Sequence, residues 1–122
     1  MDKAQAIDTF WNSFGLPAYD ENTVPDDAAL PYITYNVIEG DWDSYTVMLN
    51  ASLWYRSDKW ADISRKATEI SGAIGYGGVL LTTDDGRVWL KRGSPFAQRM
   101  SDPDDSIRRI LLTVEADYYT MT

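Results

Sequence analysis

Two stretches of the chain alternate between apolar and polar residues. In Tyr45 to Tyr55 nearly every second residue is apolar, and the same alternation runs from Ile110 to Tyr118. Successive side chains of a strand point to opposite faces of a sheet, so this period of two predicts long, half-buried strands. The first of them is long enough to be the central strand of a sheet.

The residues before these strands predict a helix and then a loop. Apolar residues recur at helical spacing from Ile7 to Phe14, Asp2 is a candidate N-cap, and Gly15 is a typical end signal. Ala18 to Pro31 is acidic and has no periodicity, which predicts a long loop. In a compact domain such a loop often carries function or becomes ordered against a partner.

The middle of the chain predicts a hairpin and a second helix. Tyr32 to Ile38 forms a strand, and Glu39 to Asp43 turns the chain back into the long strand. Trp60 to Ile74 has helical spacing, with Ser57 or Asp58 as its cap. A helix of this amphipathic kind lies across one face of a sheet.

The last third predicts another hairpin and the closing strand. The Asp85-Gly86 turn joins Val79 to Thr83 with Arg87 to Arg92, and a loop from Gly93 to Ser106 follows. The resulting order, α-β-β-α-β-β-β, predicts an α+β fold in which two helices pack against a mainly antiparallel sheet. At 122 residues the chain forms a single domain, residues 1–122.

The composition excludes several classes of function. The chain has no cysteine and no histidine, which removes Ser-His-Asp and Cys-His catalysis, Cys/His zinc sites and thiol chemistry. The net charge of −8 argues against a surface that wraps phosphates. Basic residues do cluster late in the chain; they are Arg87, Lys91, Arg92, Arg99, Arg108 and Arg109. The favoured interpretation of this cluster is a solvated strand edge rather than a binding patch. No secretion signal or membrane-length apolar run is visible, so we expect a cytoplasmic protein.

Adjacent carboxylates occur at three places but predict no chemistry. Asp26 and Asp27, and Asp84 and Asp85, are two of these pairs, and the third follows Pro103. The turn-forming preference of aspartate explains all three. We therefore expect no enzyme, no cofactor and no metal site.

An aromatic surplus favours contact with other proteins. The chain has five Trp, eight Tyr and three Phe. Met48 and Trp54 stand on the otherwise polar side of the long strand. Either this side meets another subunit, or a helix or loop covers it.

Nearly the whole chain resembles a known family, the small tail terminator or tail completion proteins of long-tailed bacteriophages. The most specific part is Leu30-Pro31-Tyr32-Ile33-Thr34-Tyr35. The other parts are the apolar first helix, the long strand Tyr45 to Tyr55 that passes through Ser57-Asp58-Lys59 into Trp60 to Ile74, and the closing strand Ile107 to Tyr119.

The resemblance implies a six-membered ring that sits on the finished tail tube. Such a ring stops tube polymerisation and presents a surface to the head-side connector, and DNA passes through it without sequence-specific binding. The partners implied are further copies of the chain, the tube protein and the connector, with assembly in the host cytoplasm. The alternatives are a neck or head-closure adaptor and a small acidic inhibitor.

The residues that we expect at protein interfaces fall into two groups. Met48 and Trp54 are placed in contacts between subunits. Contacts to the tube or connector are placed in the acidic loops, the Asp85-Gly86 hairpin and the loop after it; these residues are Asp20, Glu21, Asp26, Asp27, Asp84, Asp85, Arg87, Phe96, Arg99 and Met100.

Overall fold

The computed structural model describes residues 1–39 and 46–121. In chain order the helices and strands are α1 (Lys3–Trp11), β1 (Ala18–Asp20), β2 (Tyr32–Tyr35), β3 (Val47–Arg56), α2 (Ala61–Ile74), β4 (Val79–Thr83), β5 (Gly86–Met100) and β6 (Ile107–Thr120). A short 3-10 turn, Asn12–Phe14, extends α1. Tyr45 and most of the turn predicted over Glu39 to Asp43 lie outside the described residues.

The strands of the described residues form one sheet in the order β1-β2-β3-β6-β5-β4. Every neighbouring pair is antiparallel except β1 with β2. The predicted α+β fold with a mainly antiparallel sheet is confirmed. The predicted long strand is β3, which lies inside the sheet between β2 and β6.

The core lies between the two helices and one face of the sheet. Leu49 of β3 stands opposite Val114 of β6, and both are buried. These residues and their alternate neighbours along both strands pack against one apolar side of each helix, including Trp11 of α1 and Ile70 of α2. The alternation therefore predicted correctly which face of β3 and β6 is buried.

The two helices begin differently. At α1 the Asp2 carboxylate accepts a hydrogen bond from the Gln5 backbone N–H at 2.8 Å, and the Gln5 side chain accepts one from the Asp2 N–H at 2.9 Å. This capping box confirms the prediction for Asp2. The cap predicted for α2 is wrong, because Trp60 is the N-cap residue and its side chain makes no capping hydrogen bond. The Ser57 hydroxyl instead accepts from the Lys59 N–H, which closes a turn ahead of the helix.

Three predicted boundaries were wrong, one in each of the first three strands of the sheet. The predicted loop from Ala18 to Pro31 starts with β1, whose three residues pair in parallel with β2. Three residues are too few to show a period, so the pattern could not indicate this strand. β2 ends at Tyr35 rather than at Ile38, and the long strand runs one residue past Tyr55.

The loop predicted from Gly93 to Ser106 is mostly strand. β5 continues through Gly93 and Pro95 to Met100 and pairs with β6 on both sides of an irregularity between Arg92 and Ala97. A Cβ atom at Gly93 would lie 2.8 Å from the Thr113 carbonyl oxygen, so this close approach requires glycine. Glycine and proline indicated a loop, but they occupy a bulge on an edge segment.

Candidate interaction surfaces

One face of the sheet carries no helix in the described part of the chain. Both helices pack on the side that holds Leu49 and Val114. The opposite side, which we call the bare face, carries Met48 and Trp54 of β3 and Arg109 of β6. The register therefore places both residues predicted for subunit contacts on this face.

Trp54 is held firmly on the bare face. Its indole Nε1 donates a hydrogen bond to the Thr34 hydroxyl at 2.9 Å. The guanidinium of Arg109 lies 4.8 Å from the ring centroid, and its Nε donates to the Ser52 hydroxyl at 3.1 Å. A cation over an indole ring stabilises both groups and leaves a flat surface of mixed polarity. The Trp54 ring is half-buried by these contacts.

Met48 is the more accessible of the pair. It stands opposite Glu115 of β6, and 44% of its surface is exposed. Its neighbours on this face include Asn50 and Thr113, which are also opposite each other. An exposed methionine surrounded by polar side chains, on the same sheet face as a tryptophan and an arginine, has the composition of a protein interface.

The acidic segment 21–31, which we call the β1–β2 loop, connects two parallel strands at one edge of the sheet. Asp20 at the end of β1 accepts a hydrogen bond from the Asn22 N–H at 2.9 Å, and the Glu21 N–H donates to the Tyr35 carbonyl at 2.8 Å. Asp26 and Asp27 are exposed. The structure thus presents three of the four predicted acids to solvent from one loop.

The Asp84 and Asp85 carboxylates hold the beginning of the chain. Asp84 forms a salt bridge with the amino group of Met1 at 2.8 Å, and Asp85 forms one with Lys3 at 2.9 Å. Lys3 is buried, with 2% of its surface exposed. Its hydrogen bond, followed by one from Thr83, lowers the pKa of Asp85. Sequence reasoning missed this intramolecular role, and a contact of these acids with another protein stays a prediction.

A groove of about 370 Å³ lies between α2 and the second half of β5. Ala67 of α2, Phe96 of β5 and Ile110 of β6 supply its apolar surface. The other lining residues are Ser64, Thr68, Ser71, Ala97, Gln98 and Arg99. We call this feature the α2–β5 groove, and it brings together Phe96 and Arg99 from the predicted contact residues.

An arginine stands near each end of the α2–β5 groove. Arg92 donates a hydrogen bond to the Ser71 hydroxyl at 2.8 Å. The Arg99 guanidinium lies 4.8 Å from the centre of the Trp60 ring. Two other predicted residues lie elsewhere: Met100 is opposite Arg109, on the bare face, and Arg87 is exposed near the hairpin turn.

Sequence reasoning missed the helix side of this groove. Ser64, Ala67 and Ser71 recur at i, i+3 and i+7 on α2, and a stripe of small residues leaves space beside a helix. That signal was visible in the sequence. The opposing wall of the groove could not be predicted, because residues 93–100 were predicted to form a loop rather than a strand.

Two buried tyrosines belong to the fold. The Tyr35 hydroxyl donates to the Asp8 carboxylate, and burial together with this bond raises its pKa. Tyr118 donates to the Ile38 carbonyl at 2.8 Å, and burial raises its pKa to about 12. Both phenols therefore stay protonated near neutral pH and act as structural donors. Over residues 1–39 and 46–121 no cluster of acidic side chains suited to a metal ion occurs.

Comparison with solved structures finds chains of similar fold. No protein-family model matches the chain, and no curated protein sequence matches it. A solved structure described as the virion of a native gene transfer agent (GTA) particle contains a chain that superposes on 96% of this chain with a TM-score of 0.58. The two chains share a fold. Their sequence identity is 21%, and the match covers 85% of the virion chain.

The same fold extends over both helices and the sheet, since the match leaves out very little of this chain. Among the described residues no helix has the length and apolar character needed to span a bilayer.

Proposed function

We propose that this protein is a structural virion component that caps a phage tail tube as a ring. The ring ends tube polymerisation and provides the surface to which the head-side connector binds. The observation that carries the proposal is the fold likeness to a chain of a gene transfer agent virion over almost the whole length of this chain. The likeness of the Leu30-Pro31-Tyr32 segment and the strand-helix unit to tail terminators supplies the finer role.

The chemistry of the bare face supports contacts between protein subunits. It combines exposed Met48 with a tryptophan and an arginine that are already ordered by intramolecular contacts. Ordered side chains lose little conformational entropy on binding, which favours association. The proposed partners are further copies of the chain, the tube protein and the connector.

The acidic character of the chain suits a ring around DNA. The net charge is −8, and like charges repel the phosphate backbone, so DNA passes without adhering. The role is assembly rather than catalysis. The protein acts in the host cytoplasm while particles form, and in the tail or neck of the finished virion.

A tube-growth assay tests this proposal. Tube protein from the same particle is polymerised with increasing amounts of the chain, and tube lengths are measured by electron microscopy. We expect shorter tubes, each with a ring at one end, at amounts far below one chain per tube subunit. Unchanged lengths would contradict capping, and binding to isolated connector rings alone would identify a neck adaptor instead.

Two variants make the assay specific to the surface. Met48→Glu places a charge on the bare face and is expected to weaken capping. Lys59→Glu changes an exposed residue before α2 and is the control, which should cap like the wild type. If both variants cap normally, the bare face is not the contact surface.

A further inference from the structure

The α2–β5 groove has the chemistry to hold an acidic segment. β5 carries no acidic residue, and two of its four basic residues, Arg92 and Arg99, stand opposite Val114 and Ile110 on the helix side of the sheet. Arg92 and Arg99 are exposed and stand near the two ends of the groove. Between them lies the apolar surface of Ala67, Phe96 and Ile110. A suitable occupant has a small apolar side chain with carboxylates close by.

The wall of the groove is also an open strand edge. β4 pairs with β5 only as far as Leu90, and β5 continues for ten residues to Met100. Within the described residues, this part of β5 pairs with β6 on one side and has no strand on the other. Unpaired backbone donors and acceptors on such an edge bind extended segments. Pro95 interrupts the edge, which limits pairing to a few bonds.

The chain itself contains a segment with the required chemistry. No lysine or arginine occurs between Lys3 and Arg56. Within that span the β1–β2 loop presents Glu21, Asp26 and Asp27 on either side of Val24. The charge of the loop is opposite to that of β5, and Val24 supplies the small apolar group.

The loop and the groove lie toward opposite edges of the sheet. β1 is the first strand of the sheet order, whereas β5 is the last but one. A contact between two different surfaces of the same chain joins copies head to tail. Such a contact gives a closed ring when the rotation between copies closes, and a filament when it does not.

We propose that the β1–β2 loop of one copy docks in the α2–β5 groove of the next. Its carboxylates face Arg92 and Arg99, and Val24 covers the apolar floor between them. This inference rests on the proposed ring and adds a second pair of contact surfaces between its subunits, besides the bare face. Because the contact is partly electrostatic, it weakens as the salt concentration rises.

Cysteine cross-linking tests the contact directly, since the chain has no cysteine of its own. Thr23→Cys in the loop and Ala97→Cys in the groove are made in separate chains, one of which carries a mass tag. The mixture is oxidised on tube ends and in solution. We expect mixed disulfide dimers to form at least about tenfold faster than with Thr82→Cys on β4 as the groove-side control.

Charge reversal adds a rescue that a merely structural role cannot produce. The double variant Asp26→Lys, Asp27→Lys gives a basic loop that faces the basic groove. The double variant Arg92→Glu, Arg99→Glu gives an acidic groove that faces the acidic loop. Each double variant alone should lose about tenfold or more in cross-linking, and an equimolar mixture of the two should regain it. Lys59→Glu with Arg65→Glu alters net charge as the second variant does and should have no effect. Circular dichroism confirms that each variant is folded.

The outcomes separate this inference from the proposed function. Rings on tube ends without the Thr23–Ala97 cross-link, or without rescue in the mixture, overturn the docking and leave the capping role standing. Rescued cross-linking in solution with no ring on any tube end supports the docking and counts against the capping role.

Discussion

Leu112 and Thr113 are neighbours on β6, and they belong to two different surfaces. Leu112 is fully buried in the core with α1 and α2, whereas Thr113 stands on the bare face opposite Asn50. The same contrast repeats along β3, where Leu49 is buried and Met48 is 44% exposed. One set of strands therefore builds a surface closed by helices and a surface that remains accessible in the described residues.

This contrast separates folding from contact. Apolar residues of the covered face have their partners within the chain, so substitutions there act on stability. Residues of the bare face contribute less to folding and have chemistry suited to a second protein. Five substitutions, taken in order of decreasing expected effect, test how complete this separation is.

The largest effect is expected at the centre of the covered face. Leu112→Ala removes a fully buried side chain from the core, and it should lower the free energy of unfolding by about 2–5 kcal/mol. Thr113→Ala, one residue away on the bare face, should change it by less than about 0.5 kcal/mol. Urea unfolding followed by tryptophan fluorescence measures both. Equal losses would contradict the separation of the two faces.

The next effect concerns the helix that closes the core. Asp2→Ala removes the carboxylate that accepts the Gln5 N–H, and the expected loss in the free energy of unfolding is about 1 kcal/mol. Asp27→Ala, on the exposed β1–β2 loop, is the control and should leave stability nearly unchanged. A loss at Asp2 no greater than that at Asp27 would mean that the cap adds nothing to α1.

A smaller effect is expected on the bare face itself. Arg109→Ala removes the cation above Trp54 and the bond to Ser52, at a cost of about 0.5–1 kcal/mol in the free energy of unfolding. Arg65→Ala serves as the comparison, because Arg65 is exposed on α2 and forms an ion pair with nearby Asp62. A loss as large as that of Leu112→Ala would show that the bare face also determines folding.

The fourth prediction concerns pH and the anchored beginning of the chain. Lys3 lowers the pKa of Asp85, so its ionised carboxylate stabilises the fold above the unfolded-state pKa of about 4. That contribution is lost as the pH falls through the lower, folded-state value. Asp85→Asn should therefore reduce the decline in stability between neutral pH and about pH 2.

Part of the acid dependence should survive that substitution. The pKa values of Asp104 and Asp117 are also lowered in the folded protein. Hydrogen bonds from Ser106 are the main cause at Asp104. At Asp117 partial burial raises the pKa, but the hydrogen bonds from Thr46 and Lys91 outweigh it. The free energy of unfolding is measured at several pH values for the wild type and for Asp85→Asn. Identical pH profiles would show that the Lys3 contact does not stabilise the fold.

The smallest effect on folding is expected at Met48. Met48→Ser shortens a side chain that is 44% exposed, and it should change the free energy of unfolding by less than about 0.5 kcal/mol. Its effect should appear in assembly, as fewer capped tubes in the growth assay. A clear loss of stability without any change in capping would reverse the assignment of this residue.

The alternating strands were predictable because their pattern is long. Leu49, Leu53 and Val114 follow a period of two over ten or more residues, so the buried face of β3 and β6 could be predicted before any contact was known. Asp2 could be predicted for a similar reason, since capping depends on residues only a few positions apart.

The parts that could not be predicted depend on distant residues. β1 has three residues and exists through its pairing with β2. At Gly93, β5 comes so close to Thr113 of β6 that a side chain would not fit, and glycine lets the strand continue past this point. The α2–β5 groove requires α2, the second half of β5 and the sheet order, and no local pattern contains that information.

The central claim is that this chain forms a ring on the end of a tail tube. Light scattering of the purified protein with and without preformed tubes, followed by electron microscopy of the tube ends, measures this most directly. We predict a ring, or a monomer that becomes a ring on tube tips. A protein that stays monomeric and leaves the tube ends bare would contradict the claim.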